Sequence, residues 1–394
     1  MRRLLSLLLL SCAAGWAGGD AVLVLPFFNL SKDSNLDWIG ESISETVRDS
    51  LAGENVGVVN RETRQEVFRR LSIRPYAPLT RATVIKIGQA LDASKVISGD
   101  FVLTPPDQSP SASRGSLRIT GRIVDLKNMG KVPEFVEIGA LEDLAALVRH
   151  FAWQSLRLLI PKAAPAEDAF HQKWPLIRVD AIENYIRGLL ATSPEIRHRF
   201  FTQAARLDAN YSPPVFELGH TYFHSEDYRL CAAWLERMKA SDPRYLEARF
   251  MLGVSRFYLG DYRSAEAAFR EVAASVALSE VLNNLGAAQF RMGMPEALTS
   301  FRLAISGDDA EPDYYFNLGY AQWKAGDFDG AEKGFRSVLE RDSDDEEAKT
   351  LLARSLQKRG PKLSDVALEG LERLKLSYEE APNRPLKNEP ERRR

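Results

Sequence analysis

The strongest constraint on the fold of this 394-residue sequence is an internal repeat in its second half. Leu-Gly pairs end at Gly219, Gly253, Gly286 and Gly319, which are 34, 33 and 33 residues apart. After each glycine come a small residue and then a large apolar one: Cys231 and Leu235, Ala265 and Phe269, Ala297 and Phe301, Ala331 and Phe335. A repeat of this length is one supersecondary unit, and it buries its apolar face only by stacking on its neighbours.

Each repeat is predicted to be two helices joined by a tight turn. A turn and an aromatic residue follow three of the four glycines, as in Gly260-Asp261-Tyr262 and Gly326-Asp327-Phe328. The turn glycine tolerates a positive φ. The small residue allows the second helix to approach the first closely, and the large apolar residue fills the space between the two helices.

The spacing and residue types resemble the tetratricopeptide repeat, a helix-turn-helix unit of 34 residues. The resemblance implies an all-α solenoid over residues 178–379. Its groove is the surface lined by the first helix of each repeat. The predicted units are a degenerate repeat at 178–211, repeats at 212–245, 246–278, 279–311 and 312–345, and a last first helix at 346–359. We also predict a capping helix at 362–378 and a disordered tail at 380–394.

Residues 21–160 alternate strand and helix patterns, which predicts an α/β domain with a mixed sheet. The predicted strands are 21–27, 55–60, 95–103, 117–126 and 132–139, and the predicted helices are 36–52, 61–71, 80–91 and 141–160. The loop 104–115 is rich in Pro and Ser, and 161–177 is predicted to be an interdomain linker. The predicted fold class is therefore an α/β domain followed by an all-α solenoid.

Three stretches of the first half carry a second resemblance: residues 22–31, 93–101 and 117–125. Together they resemble the amino-terminal domain of the periplasmic protein TolB and of curli- and flagellum-associated outer-membrane lipoproteins. The resemblance covers residues 21–160 and implies a bacterial envelope protein. It transfers no catalytic residue.

The N-terminus has the pattern of a secretory signal peptide, predicted at residues 1–17. Two arginines precede a short apolar run, and small residues follow it. Two processing routes stay open. A type I peptidase could cut after Ala17, or Cys12 could be lipidated, because Leu9-Leu10-Ser11-Cys12 resembles a bacterial lipobox. Both routes predict an exported protein of the periplasm or cell envelope, and lipidation adds an outer-membrane anchor.

Composition and motifs exclude several functional classes. The 45% hydrophobic content excludes a wholly disordered chain. The balance of 52 Lys and Arg against 54 Asp and Glu disfavours a strongly basic nucleic-acid binder. Gly-rich phosphate loops, the nucleophile elbow and the zinc-protease motif do not occur in the sequence. We therefore predict a protein with no catalytic residue, no cofactor and no nucleic-acid partner.

Two features that could carry chemistry are better interpreted as structural. His220 and His224 share one helical face, as metal ligands can, but no third ligand stands at a suitable spacing. Cys231 occupies the small-residue position of a repeat, where a buried and unreactive thiol is expected. We predict no metal site.

An aromatic ladder along the groove is the predicted binding site for a protein partner. Positions four after and three before each repeat glycine carry Phe216, Phe223, Phe250, Phe257, Phe290, Phe316 and Trp323, with Asn283 as the exception. The flanking groove residues are His220, His224, Tyr258, Arg291, Tyr320 and Lys324. Such a stripe suits an extended peptide or an apolar helix. The alternative is that these aromatic side chains pack between repeats.

These observations predict an exported, non-enzymatic scaffold that binds a protein partner in the groove. One alternative is a ligand-sensing or enzymatic α/β domain with the repeats as a mount. It requires polar groups at the carboxyl ends of strands, for which Asn29, Ser31, Asp33 and Asp100 are the candidates. The other alternative is a structural lipoprotein anchored through Cys12.

Overall fold

The computed structural model describes residues 21–31, 33–74, 76–106, 115–128, 134–174, 176–362 and 365–378. The predicted signal peptide with Cys12, the centre of the loop 104–115 and the tail 380–394 lie outside the described residues. The chain forms two compact units, the first ending at Ile186 and the second beginning at Arg187. The predicted fold class is confirmed: a small mixed sheet with helices precedes a helical solenoid.

The first unit is built on a mixed sheet. Its described strands are β1 (Val22–Val24), β2 (Phe28–Asn29), β3 (Lys95–Thr104), β4 (Ser116–Asp125) and β5 (Phe135–Ala140). The order is β1-β3-β4-β5, and β2 also pairs with β3. Strands β1 and β2 run parallel to β3, whereas β3, β4 and β5 are successively antiparallel.

Amphipathic helices cover this sheet. They are α1 (Asp37–Gly53), α2 (Arg61–Arg70), α3 (Arg81–Ala90), α4 (Leu144–Leu159) and α5 (Glu167–Lys173), and α6 (Val179–Leu190) follows. The predicted apolar stripe of α1 is its buried face, because Ile39, Ile43, Val47 and Leu51 are fully buried. Helix α1 packs against β1, β2 and α4.

Two predicted segments of the first unit differ from the structure. The predicted strand 55–60 is reduced to an isolated bridge between Val22 and Val58. The predicted linker 161–177 contains α5, whose Phe170 side chain is buried. The indole N–H of Trp153 also donates to the carbonyl of Pro165, at 3.1 Å. This part of the linker is therefore packed onto the first unit, because α5 contacts α4 and the carbonyl of Pro165 accepts from Trp153.

A network of buried charges joins α1 to α2. The Arg64 guanidinium lies 2.5 Å from a carboxylate oxygen of Glu41 and donates to the carbonyl of Val24 at 3.0 Å. Arg61 also pairs with Glu41, at 2.8 Å. Burial alone would raise the pKa of Glu41, but the two guanidinium groups outweigh it and hold this pKa below its usual value. The network is satisfied internally and has a structural role.

The second unit is a stack of helix pairs. Its helices are α7 (Pro194–Leu207), α8 (Ser212–His224), α9 (Tyr228–Leu235), α10 (Tyr245–Tyr258), α11 (Tyr262–Ser275), α12 (Ser279–Arg291), α13 (Ala297–Gly307), α14 (Pro312–Lys324), α15 (Phe328–Arg341) and α16 (Glu346–Leu356). Each helix packs against the next along the chain. The first helices α10, α12, α14 and α16 also contact one another in sequence.

The repeat glycines permit the close approach of the two helices in each pair. A methyl group on Gly253 would lie 2.7 Å from the ring of Phe269, and one on Gly286 would lie 2.8 Å from the ring of Phe301. These distances are shorter than van der Waals contact, so a side chain at either position would push the helices apart. The degenerate repeat uses the same device, because a methyl group on Gly188 would lie 2.5 Å from Phe201.

The turn inside each repeat requires one residue with positive φ. Gly260 and Gly326 occupy it with φ of +78° and +80°, whereas the α8–α9 turn has Glu226 there with φ of +59°. The next residue in these turns is an aspartate whose carboxylate caps the following helix, as Asp261 does for α11. A glutamate in the left-handed region carries a steric cost that glycine avoids.

We therefore expect Glu226→Gly to stabilise the second unit by about 0.5–1 kcal/mol, since it removes strain in the left-handed region. The measurement is the urea midpoint followed by far-UV circular dichroism. The converse change, Gly260→Glu at the equivalent position, is the matched control and should lower the midpoint by a similar amount. A lower midpoint for Glu226→Gly would contradict the assignment of strain to this turn.

The predicted capping helix at 362–378 is wrong. Within the described residues, a single 3-10 turn at Val366–Leu368 is followed by non-helical backbone from 369 to 378. The reason lies in the hydrogen bonds of this backbone. The amide and carbonyl groups of Arg373 and Lys375 bond to side chains of α12 and α14, not to residues four positions away in the chain.

Candidate functional site

Residues 365–378, which we call the docked segment, lie in the groove of the second unit. Contacts run from α16 through α14 and α12 to α10 as the segment proceeds. Asp365 pairs with Arg354 of α16, and at the other end the Tyr378 ring lies 5.0 Å from the ring of Phe250 on α10. The segment therefore crosses the first helices of four consecutive units, against the direction of the chain.

Two asparagines hold the backbone of the docked segment. The Asn317 amide group donates to the carbonyl of Arg373 and accepts from its N–H, both at 2.8 Å. Asn284 makes the same pair of bonds with Lys375, at 2.7 Å and 2.8 Å. Residues 373 and 375 are alternate residues, so in an extended chain they point the same way. Both asparagines therefore recognise one edge of an extended backbone.

Asn283 completes this amide clamp. Its amide N–H group donates to the carbonyl of Arg373 at 2.8 Å, and its oxygen accepts from Asn317 at 2.7 Å. Asn283 and Asn284 are fully buried, and Asn317 is 1% exposed. Buried amides without partners would cost about 1–3 kcal/mol each. With the segment docked, these amides are buried beneath it, and its backbone supplies their hydrogen-bond partners.

Arg373 of the docked segment is surrounded by acidic side chains. Its guanidinium forms a two-pronged pair with Asp345, at 2.6 Å and 3.0 Å, and a further pair with Glu347 at 2.9 Å. The same group lies 3.6 Å from the ring centroid of Phe316. Burial alone would raise the pKa of Asp345, but hydrogen bonds from Arg373 hold this pKa below its usual value. The pair therefore stabilises docking at neutral pH and is lost as the pH falls through the lowered pKa.

Two further charges of the segment are matched by the groove. The Lys375 ammonium lies 2.9 Å from Glu311 and 2.5 Å from Asp313. The Glu372 side chain is 2% exposed and lies 2.9 Å from the guanidinium of Arg291. Burial raises the pKa of Glu372, and Arg291 opposes part of that rise. Within the four residues 372–375, the groove therefore provides an oppositely charged partner for an acid, an arginine and a lysine.

Apolar contacts anchor the start of the segment. Leu368 and Leu371 pack against a buried cluster that contains Phe316, Tyr320 and Trp323. The Tyr320 hydroxyl donates to the carbonyl of Leu368 at 2.8 Å. These contacts combine side-chain burial with a specific polar bond to the backbone.

Five of the predicted groove residues contact the docked segment: Phe250, Arg291, Phe316, Tyr320 and Lys324. Two others lie beside it. The Trp323 indole N–H donates to the carbonyl of Arg359, which precedes the segment, and the Phe290 ring packs 5.7 Å from that of Tyr320. Among these seven residues, Phe290, Phe316, Trp323 and Lys324 all contact Tyr320.

The remaining predicted residues have contacts within the repeats. Phe216 is buried below the guanidinium of Arg244, at 3.8 Å from its ring centroid. Phe223 and Phe257 are buried, with ring contacts to Tyr228 and Tyr262. His220 and His224 lie 3.0 Å apart through their Nε2 atoms, and Tyr258 is half-exposed and stacks on Tyr228 at 4.7 Å. Their role as partner anchors stays a prediction.

The amide clamp and the acidic residues around Arg373 were missed in the sequence. A signal was present, because Asn284 and Asn317 both stand two positions before a repeat glycine. Successive repeats thus place the same side chain at the same point of the groove. The predicted binding site was based on aromatic residues and therefore did not include the asparagine that recurs at this position.

The other candidate residues have structural roles. Cys231 is buried, and burial raises the pKa of its thiol to about 11. Asn29 bonds to Asp37, Ser31 accepts from the N–H of Leu103, and Asp100 pairs with Arg122. Asp33 caps a 3-10 turn. Together these contacts bind β2 and its following turn to β3 and α1.

One cavity of the first unit has a volume of about 270 Å³. It lies at the end of the sheet where β1 and β3 begin and β4 ends. Its polar lining includes Lys95 at the start of β3 and Asp125 at the end of β4. Among the residues described, no group of three His, Cys, Asp or Glu side chains is placed to hold a metal ion. Within the same residues, no helix has the length and apolar character needed to cross a membrane.

Family comparison identifies the repeats. Residues 312–345 and 247–279 each match a family model described as the tetratricopeptide repeat. These ranges agree with two of the predicted repeats to within one residue. The second unit therefore contains tetratricopeptide repeats, and the corresponding sequence prediction is confirmed. No curated protein matches the chain.

Several solved structures are similar to this chain. YrrB, described as a tetratricopeptide protein with an unusual peptide-binding site, is 19% identical with a TM-score of 0.40, over 45% of this chain and 92% of YrrB. MamA from Desulfovibrio magneticus is 22% identical with a TM-score of 0.37, over 41% and 92%. A thermophilic tetratricopeptide protein from Thermus thermophilus is 16% identical with a TM-score of 0.33, over 45% and 99%. At these identities the similarity concerns the fold alone.

The amide clamp predicts a specific change in backbone protection. We expect Asn317→Leu, which keeps the size of the side chain, to accelerate hydrogen exchange at the amides of 371–375 by about tenfold, because it removes two bonds to Arg373. Hydrogen-exchange mass spectrometry of the C-terminal peptide measures this rate. The control is Asn210→Leu at an exposed loop position of the same unit. Equal exchange in both variants would show that the clamp does not hold the segment.

Proposed function

We propose that this protein is a non-enzymatic scaffold that binds an extended segment of a partner protein in its groove. Proteins with tetratricopeptide repeats are typically scaffolds that bind proteins or peptides. The observation that carries the proposal is the amide clamp, in which Asn284 and Asn317 each bond to both the N–H and the C=O of one residue. Such bonds recognise an extended backbone whatever its side chains.

The groove supports the proposal through its chemistry as well. Main-chain hydrogen bonds supply affinity and side-chain pockets supply specificity when an extended peptide binds. The groove has both, since charged residues such as Arg291 and Asp345 flank the amide clamp. The aromatic ladder contributes through Phe250 and Phe316, whose rings face Tyr378 and Arg373.

A selection experiment tests peptide binding. Because the groove is occupied by the docked segment, residues 365–378 are replaced by a Gly-Ser sequence of equal length in the otherwise full chain. A random library of 14-residue peptides is displayed to this segment-replaced chain. We expect binders whose affinity falls by about tenfold or more when Asn284→Leu and Asn317→Leu are added, because they lose the backbone bonds.

The control for this selection is Asn210→Leu in the same segment-replaced chain, which should leave the affinity unchanged. Circular dichroism establishes that every variant keeps its helical content. Binders that ignore the two groove asparagines, or a library that yields no binder to a folded chain, would contradict peptide binding in the groove.

The proposal also places the protein in the bacterial cell envelope. Its support is the signal-peptide pattern of residues 1–17 and the resemblance of 21–160 to envelope proteins. Cleavage after Ala17 leaves a periplasmic protein, whereas lipidation of Cys12 anchors the scaffold to the outer membrane. The TolB-like interpretation of the first unit belongs to this proposal.

Mass spectrometry of the mature protein tests export. Expressed in a bacterium, the chain should begin at Gly18, or at a Cys12 that carries the added mass of acyl chains. Cys12→Ser is the matched control, because it abolishes lipid addition and leaves type I cleavage available. An intact Met1 on protein recovered from the cytoplasm contradicts export.

A further inference from the structure

We propose that the docked segment competes with a partner peptide for the groove. We further propose that this partner peptide has the same pattern of charged residues as the segment that it displaces. The partner is an extended peptide with an acidic residue, an arginine directly after it and a lysine two positions further on. This inference rests on the proposed function and adds the chemistry of the ligand and the way the groove is regulated.

The first step of the argument is that the backbone bonds fix the position of the segment without selecting its sequence. The hydrogen bonds of Asn284 and Asn317 to the segment go to the main chain of Lys375 and Arg373. Any extended chain could make these four bonds. Beyond the apolar contacts of Leu368 and Leu371, the selection of side chains therefore comes from the charged groups on either side of the clamp.

The second step is the acidic side of the groove. Glu311, Asp313, Asp345 and Glu347 all lie within 3.3 Å of a cationic nitrogen of Arg373 or Lys375. Without these two cations, four carboxylates would lie close together in the groove, the most buried of them being that of Asp345. Like charges at short range repel strongly where water is excluded. A ligand of this groove must therefore bring positive charge to both positions.

The third step is that the first cationic position favours arginine over lysine. Its occupant forms two bonds to the carboxylate of Asp345 and lies 3.6 Å from the ring centroid of Phe316. A planar guanidinium satisfies both contacts at once, whereas an ammonium group cannot make the two-pronged pair.

The fourth step is the opposite face of the segment. Glu372 points away from Arg373 in an extended chain, and its side chain is 2% exposed against Arg291. An apolar residue at this position would leave the Arg291 guanidinium without its carboxylate partner. The acid that precedes the arginine is therefore part of the recognition pattern.

The fifth step is that the segment and the groove belong to one chain. A tethered ligand acts at an effective concentration in the millimolar range when its linker spans the distance. A free peptide with the same contacts is then outcompeted, because its apparent affinity falls with the fraction of open groove. A partner therefore binds only if its peptide has a higher affinity for the groove than the segment has, or if the segment is released first.

The test measures binding of a fluorescent synthetic peptide of residues 365–378 to four full-length proteins by anisotropy. These are the wild type, the Arg373→Glu/Lys375→Glu variant, the segment-replaced chain, and a charge control with Lys86→Glu/Lys333→Glu. The control changes the net charge equally but alters exposed residues outside the docked segment. We expect the two variants with a disrupted segment to bind the peptide at least ~10-fold more tightly than the wild type and the control.

Peptide variants test the recognition pattern. Reversal of both cations in the peptide, or replacement of its acidic residue by leucine, should weaken binding to the segment-replaced chain by about tenfold or more. Peptides selected from the random library should carry the acid-Arg-x-Lys pattern and compete with the 365–378 peptide. Selected peptides without this pattern would overturn the proposed ligand chemistry while leaving peptide binding in the groove intact.

The outcomes separate the competitor from the scaffold. Equal affinity of the wild type and both disrupted chains would refute the built-in competitor, although the groove would still bind peptides. Sedimentation of the wild type over a range of concentrations then determines whether the segment docks into its own chain or into a second copy. A monomer supports the competitor, and a concentration-dependent dimer lost in Arg373→Glu/Lys375→Glu would show that the segment docks into a second copy instead.

Discussion

The close approach of the two helices in each repeat is the constraint on which the second unit depends. The Gly253 and Gly286 positions have no room for a side chain, because the rings of Phe269 and Phe301 lie against the backbone there. This contact fixes the spacing within a pair. Stacked pairs then bring α10, α12, α14 and α16 side by side, so residues at one repeat position recur along the groove. The polar recognition surface is a consequence of this packing.

That recurrence explains how an ordinary solenoid acquires an extended-chain site. Asn284 and Asn317 stand at equivalent positions of neighbouring repeats, and they bond to alternate residues of the docked segment. The buried amides need hydrogen-bond partners, and an extended backbone with a free edge supplies them at regular intervals. A helix in the groove could not, since its N–H and C=O groups are used internally. The groove therefore holds the docked segment through bonds that a helix in the same place could not make.

The sequence predicted the repeats well because their signals are local and periodic: the Leu-Gly pair, the turn and the large apolar residue recur in each unit. The C-terminal segment was mispredicted as a helix because Leu368, Leu371 and Leu374 are spaced by three, which suits a helical face. Tertiary partners decided otherwise, since Asn284 and Asn317 take the backbone bonds that a helix would use. The strand expected at 55–60 failed similarly, as Val58 makes only an isolated bridge. The aromatic ladder was predicted from sequence spacing, which does not reveal how far each ring is buried within the repeats, and its role in binding stays a prediction.

The burial of these rings determines where specificity can be encoded. Phe257 is 6% exposed and Phe316 is fully buried, and truncation of a buried phenylalanine typically costs about 3–5 kcal/mol of folding stability. Loss of binding after such a change would report unfolding as readily as loss of an anchor. Surface charges and groove amides can vary with a smaller cost to the packed repeats. If the groove binds a partner as proposed, the choice of partner is therefore best carried by the polar residues around the docked segment, with the aromatic side chains as the rigid framework that holds them in register.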